Sequence, residues 1–84
     1  MDKMKLKDTI EFMISDDYKE RFKSEYYQTK IRYKKLHRII IKSQTGTLDF
    51  ELSCSPEILE KQAYYMGNYL KYLEIRAEIE KIEL

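Results

Sequence analysis

The chain of 84 residues has no tryptophan, one cysteine, one proline, one histidine and two glycines. Each scarcity removes a class of explanation. The lone thiol, Cys54, permits no internal disulfide and no thiol-rich metal site. The single His37 has no cysteine near it, which argues against structural zinc, so no metal is expected. With only Gly46 and Gly67, no glycine-rich phosphate loop can be built. The longest aliphatic run is Ile39-Ile40-Ile41, far short of the roughly 20 residues that span a membrane. No segment has the layout of a secretory signal. A soluble, intracellular protein is the expectation, and one unpaired thiol suits a reducing compartment.

Catalytic groups are scarce as well. General acid–base chemistry needs a tuned histidine or carboxylate beside a substrate pocket. His37 stands in a basic run with Lys34, Lys35 and Arg38, and no acid is placed to orient it. Ser43 and Ser55 have no histidine and aspartate arranged near them in sequence. The chain is therefore expected to be a non-enzyme, with no catalytic residue and no cofactor.

What is present is helical periodicity. From Asp17 to Ser43, the residues Phe22, Tyr26, Thr29, Tyr33, Leu36 and Ile40 recur at alternating steps of four and three, one stripe of a long helix. Lys42 suits its negative end, and Gly46 supplies a left-handed stop. Ser15 or Asp16 is expected to cap its start. Ser55-Pro56-Glu57 opens another long helix: a serine cap, proline in the first turn and an acid beside the dipole. Lys7 to Ile14 forms a short helix capped by Asp8, with Glu11 in capping-box register and Ile10, Met13 and Ile14 on one face.

The predicted architecture is all-α, a single helical domain over residues 1–84. A flexible lead-in (1–6) and the short N-terminal helix (7–14) precede a long basic helix (17–43). A connection (44–54), whose Leu48, Phe50 and Leu52 plug the bundle end, leads to a second long helix (55–82). The two long helices pair as an antiparallel hairpin. Gly67, mid-helix, costs about 1 kcal/mol against alanine, which points to close approach of the partner helix there.

The second long helix is apolar on two sides. Leu59, Gln62, Met66, Tyr69, Leu70, Leu73 and Ala77 form the hairpin seam. Ile58, Tyr65, Tyr72, Ile75, Ile79 and Ile82 lie beside it, and one partner cannot cover both stripes. A core of this size supplies only about 3–5 kcal/mol unaided. With disulfide and metal excluded, assembly into a homo-oligomeric bundle is the expected remedy.

The net charge of +1 hides a strong polarity. The first long helix has nine basic against three acidic residues, or +6; residues 55–84 have four basic against six acidic, or −2. Tyrosine is the abundant aromatic, eight in all, and Tyr18, Tyr26, Tyr27 and Tyr33 alternate with the cations of the basic helix. Bases stack on tyrosine faces and phosphates are held by arginine and lysine, so this interleaving points to a nucleotide ligand. Tyr26 and Tyr33 are expected in the core or at a subunit contact, and Tyr18, at the helix start, is open to ligand. Tyr18 and Arg21 lie one turn apart, as do Arg32 and Lys35. The acidic second helix repels a phosphate backbone, so duplex nucleic acid is not an expected partner.

Two strings then matter together: Tyr18-Lys19-Glu20-Arg21-Phe22 with Glu25, Arg32 and Lys35-Leu36, and Gln62, Met66, Tyr69-Leu70, Leu73 and Arg76 at fixed helical steps. Over roughly Tyr18 to Ile79 the chain resembles a family of small helical phage and prophage proteins. That family is related to proteins of crAss-like phages and includes the type-two anti-CBASS protein, a cyclic-oligonucleotide sponge. The resemblance implies a homo-oligomer, a hexamer in the known sponges, working in the cytoplasm of a bacterial host. It implies cyclic di- or trinucleotides held between subunits and sequestered without cleavage. By position, Tyr18 would stack on a base and Arg32 with Lys34 or Lys35 would meet phosphate, while Arg76 belongs to a second pocket. Arg21 completes the expected ligand set.

Overall fold

The computed structural model describes residues 4–84, so the first half of the expected lead-in lies outside the described residues. A 3-10 turn at Leu6–Thr9 runs into α1 (Ile10–Met13), followed by α2 (Tyr18–Thr45) and α3 (Pro56–Glu80). No strand occurs among the described residues. The 28 residues of α2, at about 1.5 Å each, reach about 42 Å. That matches the 43 Å long axis of the molecule, so α2 is the spine on which everything else lies.

The helix ends follow from local chemistry, with small shifts from expectation. The cap of α2 is Asp17, whose carboxylate accepts from the Lys19 N–H at 2.9 Å. Ser15 serves the turn before it, accepting from the Asp17 N–H at 3.0 Å and donating to Glu20. At the other end Gly46 adopts φ 74°, and the Thr47 N–H returns to the Lys42 carbonyl at 2.9 Å. Ser55 caps α3 through the Ile58 N–H at 3.4 Å. This helix stops at Glu80 because Lys81 turns left-handed, with φ 60°. Such a conformation costs a non-glycine residue about 1 kcal/mol. It persists because the Ile82 N–H reaches the Ala77 carbonyl at 2.8 Å and the Ile82 side chain drops into the core.

That core is Phe22, Tyr26, Leu70, Leu73, Ala77 and Ile82. It joins the first half of α2 to the second half of α3, which makes the pair antiparallel. Ile82 thus belongs to the seam and not to the outer stripe, and Ala63 is buried too, while Gln62 and Tyr69 face solvent. Gly67 does meet α2: the ring of Tyr33 lies 3.5 Å from where a Cβ would stand, ordinary contact distance. Leu48 and Leu52 are half-buried, but Phe50 is exposed and plugs nothing.

The short N-terminal segment docks differently from its apolar pattern. Ile10, Met13 and Ile14 are exposed. The anchor is Thr9, with 0 % exposure. Its hydroxyl donates to the Leu6 carbonyl at 2.7 Å and accepts from Gln28 Nε2 at 2.9 Å, and Gln28 also reaches buried Ser24 at 3.2 Å. Asp8 is not the cap; it stands inside the turn and accepts from the Lys5 N–H at 2.8 Å. A single helical turn has too little area to bury an apolar face, so a saturated polar joint holds it instead.

The outer stripe of α3 stays in water in the single chain. Ile58, Tyr65, Tyr72 and Ile79 are each more than half exposed, Ile79 most at 74 %.

Candidate functional site

The start of α2 and the end of α3 meet because the hairpin is antiparallel, and three polar side chains converge there. The Tyr18 hydroxyl donates to Glu80 Oε1 at 2.8 Å and accepts from Arg76 Nη2 at 2.6 Å. Arg76 Nε donates to Glu80 Oε2 at 3.1 Å, one helical turn along α3. The Arg76 guanidinium also lies 4.9 Å over the Phe22 ring, and Tyr18 meets that ring edge-on at 6.3 Å. The guanidinium is therefore fixed on one face by an aromatic and along its edge by a hydroxyl and a carboxylate.

Electrostatics agree with the geometry. The Tyr18 hydroxyl and the Arg76 guanidinium hold the Glu80 carboxyl below its usual range. The same bond to Glu80 raises Tyr18, and Glu80 together with the more distant Glu25 raises Arg76. Lys19 adds a second cation near Glu80, and its Nζ reaches the Lys81 carbonyl at 3.5 Å. Beside this cluster an open groove of about 610 Å³ is lined by Asp17, Lys19, Glu20, Lys23, Lys81 and neighbours.

The expected ligand residues are thus sorted by the fold. Tyr18 and Arg76, assigned to separate pockets, share one cluster. Arg21 turns away and donates from Nη1 to the Ser15 carbonyl at 2.8 Å, so it braces the turn before α2. Arg32 and Lys35 are exposed and make no hydrogen bond or ion pair among the described residues. Lys34 lines a second groove of about 410 Å³ with Tyr33, His37, Arg38, Ile41 and Lys42. There the rings of Tyr33 and His37 stack at 6.0 Å with 15° between planes. Fourteen residues separate Tyr18 from Arg32, about 21 Å along a helix.

Glu80 was missed by the sequence reading, although its i,i+4 spacing from Arg76 was available as a signal. So was Glu74, whose carboxylate accepts from the buried Tyr26 hydroxyl at 2.6 Å. Tyr26 is a core residue, as expected for that position. Among the described residues no group of His, Cys, Asp and Glu is placed to hold a metal, and no helix is long and apolar enough to cross a membrane.

A family model described as Sequestin matches residues 16–79. The chain belongs to the Sequestin family. The matched stretch runs from the turn before α2, through the connection, to the residue before Glu80, and so takes in the hairpin. No curated protein matches the chain, and no solved structure matches it.

Proposed function

We propose that this Sequestin-family chain is a phage anti-defence protein that sequesters cyclic oligonucleotide immune signals in the host cytoplasm without cleaving them. Cyclic dinucleotides are the first ligand class and cyclic trinucleotides the second. The observation that carries the reading is the Tyr18–Arg76 pair: an aromatic ring for a base and a guanidinium for a phosphate, on the hairpin that the family match covers.

Assembly completes the site. In this reading Arg32, Lys34 and Lys35, about 21 Å along α2 from Tyr18, join it from a neighbouring subunit. The outer stripe of Ile58, Tyr65, Tyr72 and Ile79, at heptad spacing, is the surface that brings the subunits together, with a hexamer favoured. Sequestration is then stoichiometric: tight binding lowers free signal and nothing is turned over.

Native mass spectrometry and a thermal-shift screen with cyclic nucleotides test this directly. A ligand at 100 times its dissociation constant stabilises the folded form by about 2.7 kcal/mol. Tyr18→Ala and Arg32→Ala are expected to remove that shift while the oligomer stays assembled. A chain that is monomeric at micromolar concentration and shows no shift with any cyclic di- or trinucleotide overturns the reading.

A second reading is favoured by one observation. The exposed cations Arg32, Lys35 and Arg38 lie on one long helix, the first two without partners among the described residues. They suit a scaffold oligomer that docks an acidic host protein. Such a scaffold gives no thermal shift with nucleotides, and its capture of an acidic partner weakens steeply with salt.

A further inference from the structure

Glu80 occupies an unusual place. Its carboxylate takes a hydrogen bond from the Tyr18 hydroxyl at 2.8 Å and one from Arg76 Nε at 3.1 Å, and Lys19 stands nearby. One guanidinium edge and a hydroxyl thus converge on one anion, with the Lys19 charge nearby, and such donors also recognise a phosphate oxygen. The Tyr18 hydroxyl and one edge of the guanidinium are committed to that carboxylate. Glu80 is also held where it can move: its side chain is 33 % exposed and it is the last helical residue, one before the left-handed turn at Lys81. It lies one residue beyond the stretch that matches the family model.

We propose that Glu80 is an internal placeholder for a phosphate: its carboxylate occupies the anion position on Tyr18 and Arg76, and a phosphodiester ligand must displace it to bind. The inference rests on the sequestering reading for the identity of the ligand, but the competition itself concerns any phosphate-bearing anion. Displacement has two consequences. It removes one of the two hydrogen bonds on the Tyr18 hydroxyl, leaving the one from Arg76 Nη2 at 2.6 Å, so the ring is held less tightly beside a base. It also makes affinity depend on a residue that does not contact the bound ligand favourably, so Glu80 sets how much signal is needed before capture begins.

The test compares wild type with Glu80→Gln and Glu80→Ala by calorimetry against cyclic di-AMP, a cyclic tri-adenylate and pyrophosphate, with melting temperatures measured alongside. Glu80→Gln keeps the shape and one acceptor but removes the charge. Because exposed ion pairs are weak, binding is expected to tighten by about two- to fivefold in Glu80→Gln. Glu80→Ala is expected to tighten at least as much, and neither variant melts higher than wild type. Unchanged or weaker binding in Glu80→Gln at an unchanged melting temperature overturns the proposal and leaves Glu80 as a helix-end staple. If neither protein binds a cyclic nucleotide, the sequestering reading falls and pyrophosphate decides the placeholder. Tighter pyrophosphate binding by Glu80→Gln, lost again in Glu80→Gln with Arg76→Ala, upholds it; equal binding by wild type and Glu80→Gln overturns it.

Discussion

The two ends of the α2–α3 hairpin are built from similar residues and are packed very differently. At the end where α2 begins, Phe22, Tyr26, Leu70, Leu73, Ala77 and Ile82 form the buried cluster, the short N-terminal segment lies across α2 through Thr9 and Gln28, and Tyr18, Arg76 and Glu80 close the edge. At the other end Leu36, Ile40, Leu59 and Met66 are only half-buried, and the connection leaves Phe50 in water. The apolar stripe of α2 runs the full length of the helix, yet only its first half is covered within one chain. Apolar residues stabilise by what covers them, and here the N-terminal segment adds cover at one end only.

Removing side chains is the most forceful way to break this comparison. Leu73→Ala, at a site 2 % exposed, is expected to cost about 2–5 kcal/mol. The same truncation at half-buried Leu59 should cost less than half as much, and urea unfolding of the two variants side by side measures the difference. Equal losses would mean that the open end is covered in solution, which is what assembly through that end predicts.

Thr9→Val sharpens the contrast at the packed end. It keeps the shape but removes the hydroxyl that Gln28 donates to, leaving a half-buried amide with Ser24 as its remaining hydroxyl acceptor, at an expected cost of about 1 kcal/mol. Amide exchange should accelerate in Leu6–Met13 before anywhere else. Gly67→Ala acts in the opposite direction midway along the hairpin. A methyl group would sit 3.5 Å from the Tyr33 ring, in ordinary contact, so the better helix propensity should win by up to about 1 kcal/mol. A lower melting temperature for this variant would show that Tyr33 needs to come closer than the structure has it.

The smallest expected effect is that of pH. The folded-state shift of Glu80 is downward from 4.5, so its contribution is present above that value and is lost as pH falls through the lowered one. The shift of Tyr18 is upward from 10.0, so its contribution is present below that value and is lost as pH rises through the raised one. Both groups are reached by solvent and screened, so only a slight loss of stability is expected at each limit. Melting curves of wild type and Tyr18→Phe should converge in acid, where the acceptor carboxylate is protonated.

Periodicity was enough for the helices, since a stripe at steps of three and four has no other regular solution, and Gly46 and Ser55-Pro56 have only one sensible use each. It was enough for Tyr26 in the core. It failed for the N-terminal segment, where Ile10, Met13 and Ile14 advertise an apolar face that one turn is too short to bury, and where a threonine does the docking. It also failed to pair Tyr18 with Arg76, residues 58 positions apart whose contact depends on how two helices are registered.

The sequence by itself determined two long helices, the Gly46 stop of one and the Ser55-Pro56 start of the other, and a polarised charge. Those properties are local, set by spacing, caps and composition, and no partner is needed to read them. Only the tertiary structure decided that Ile82 belongs inside and Ile79 outside, that Arg21 braces a turn while Arg76 meets Tyr18, and that a carboxylate already sits between them. Those facts depend on helix rotation and register, which no single helix can encode because they are set by the packing of one surface against another.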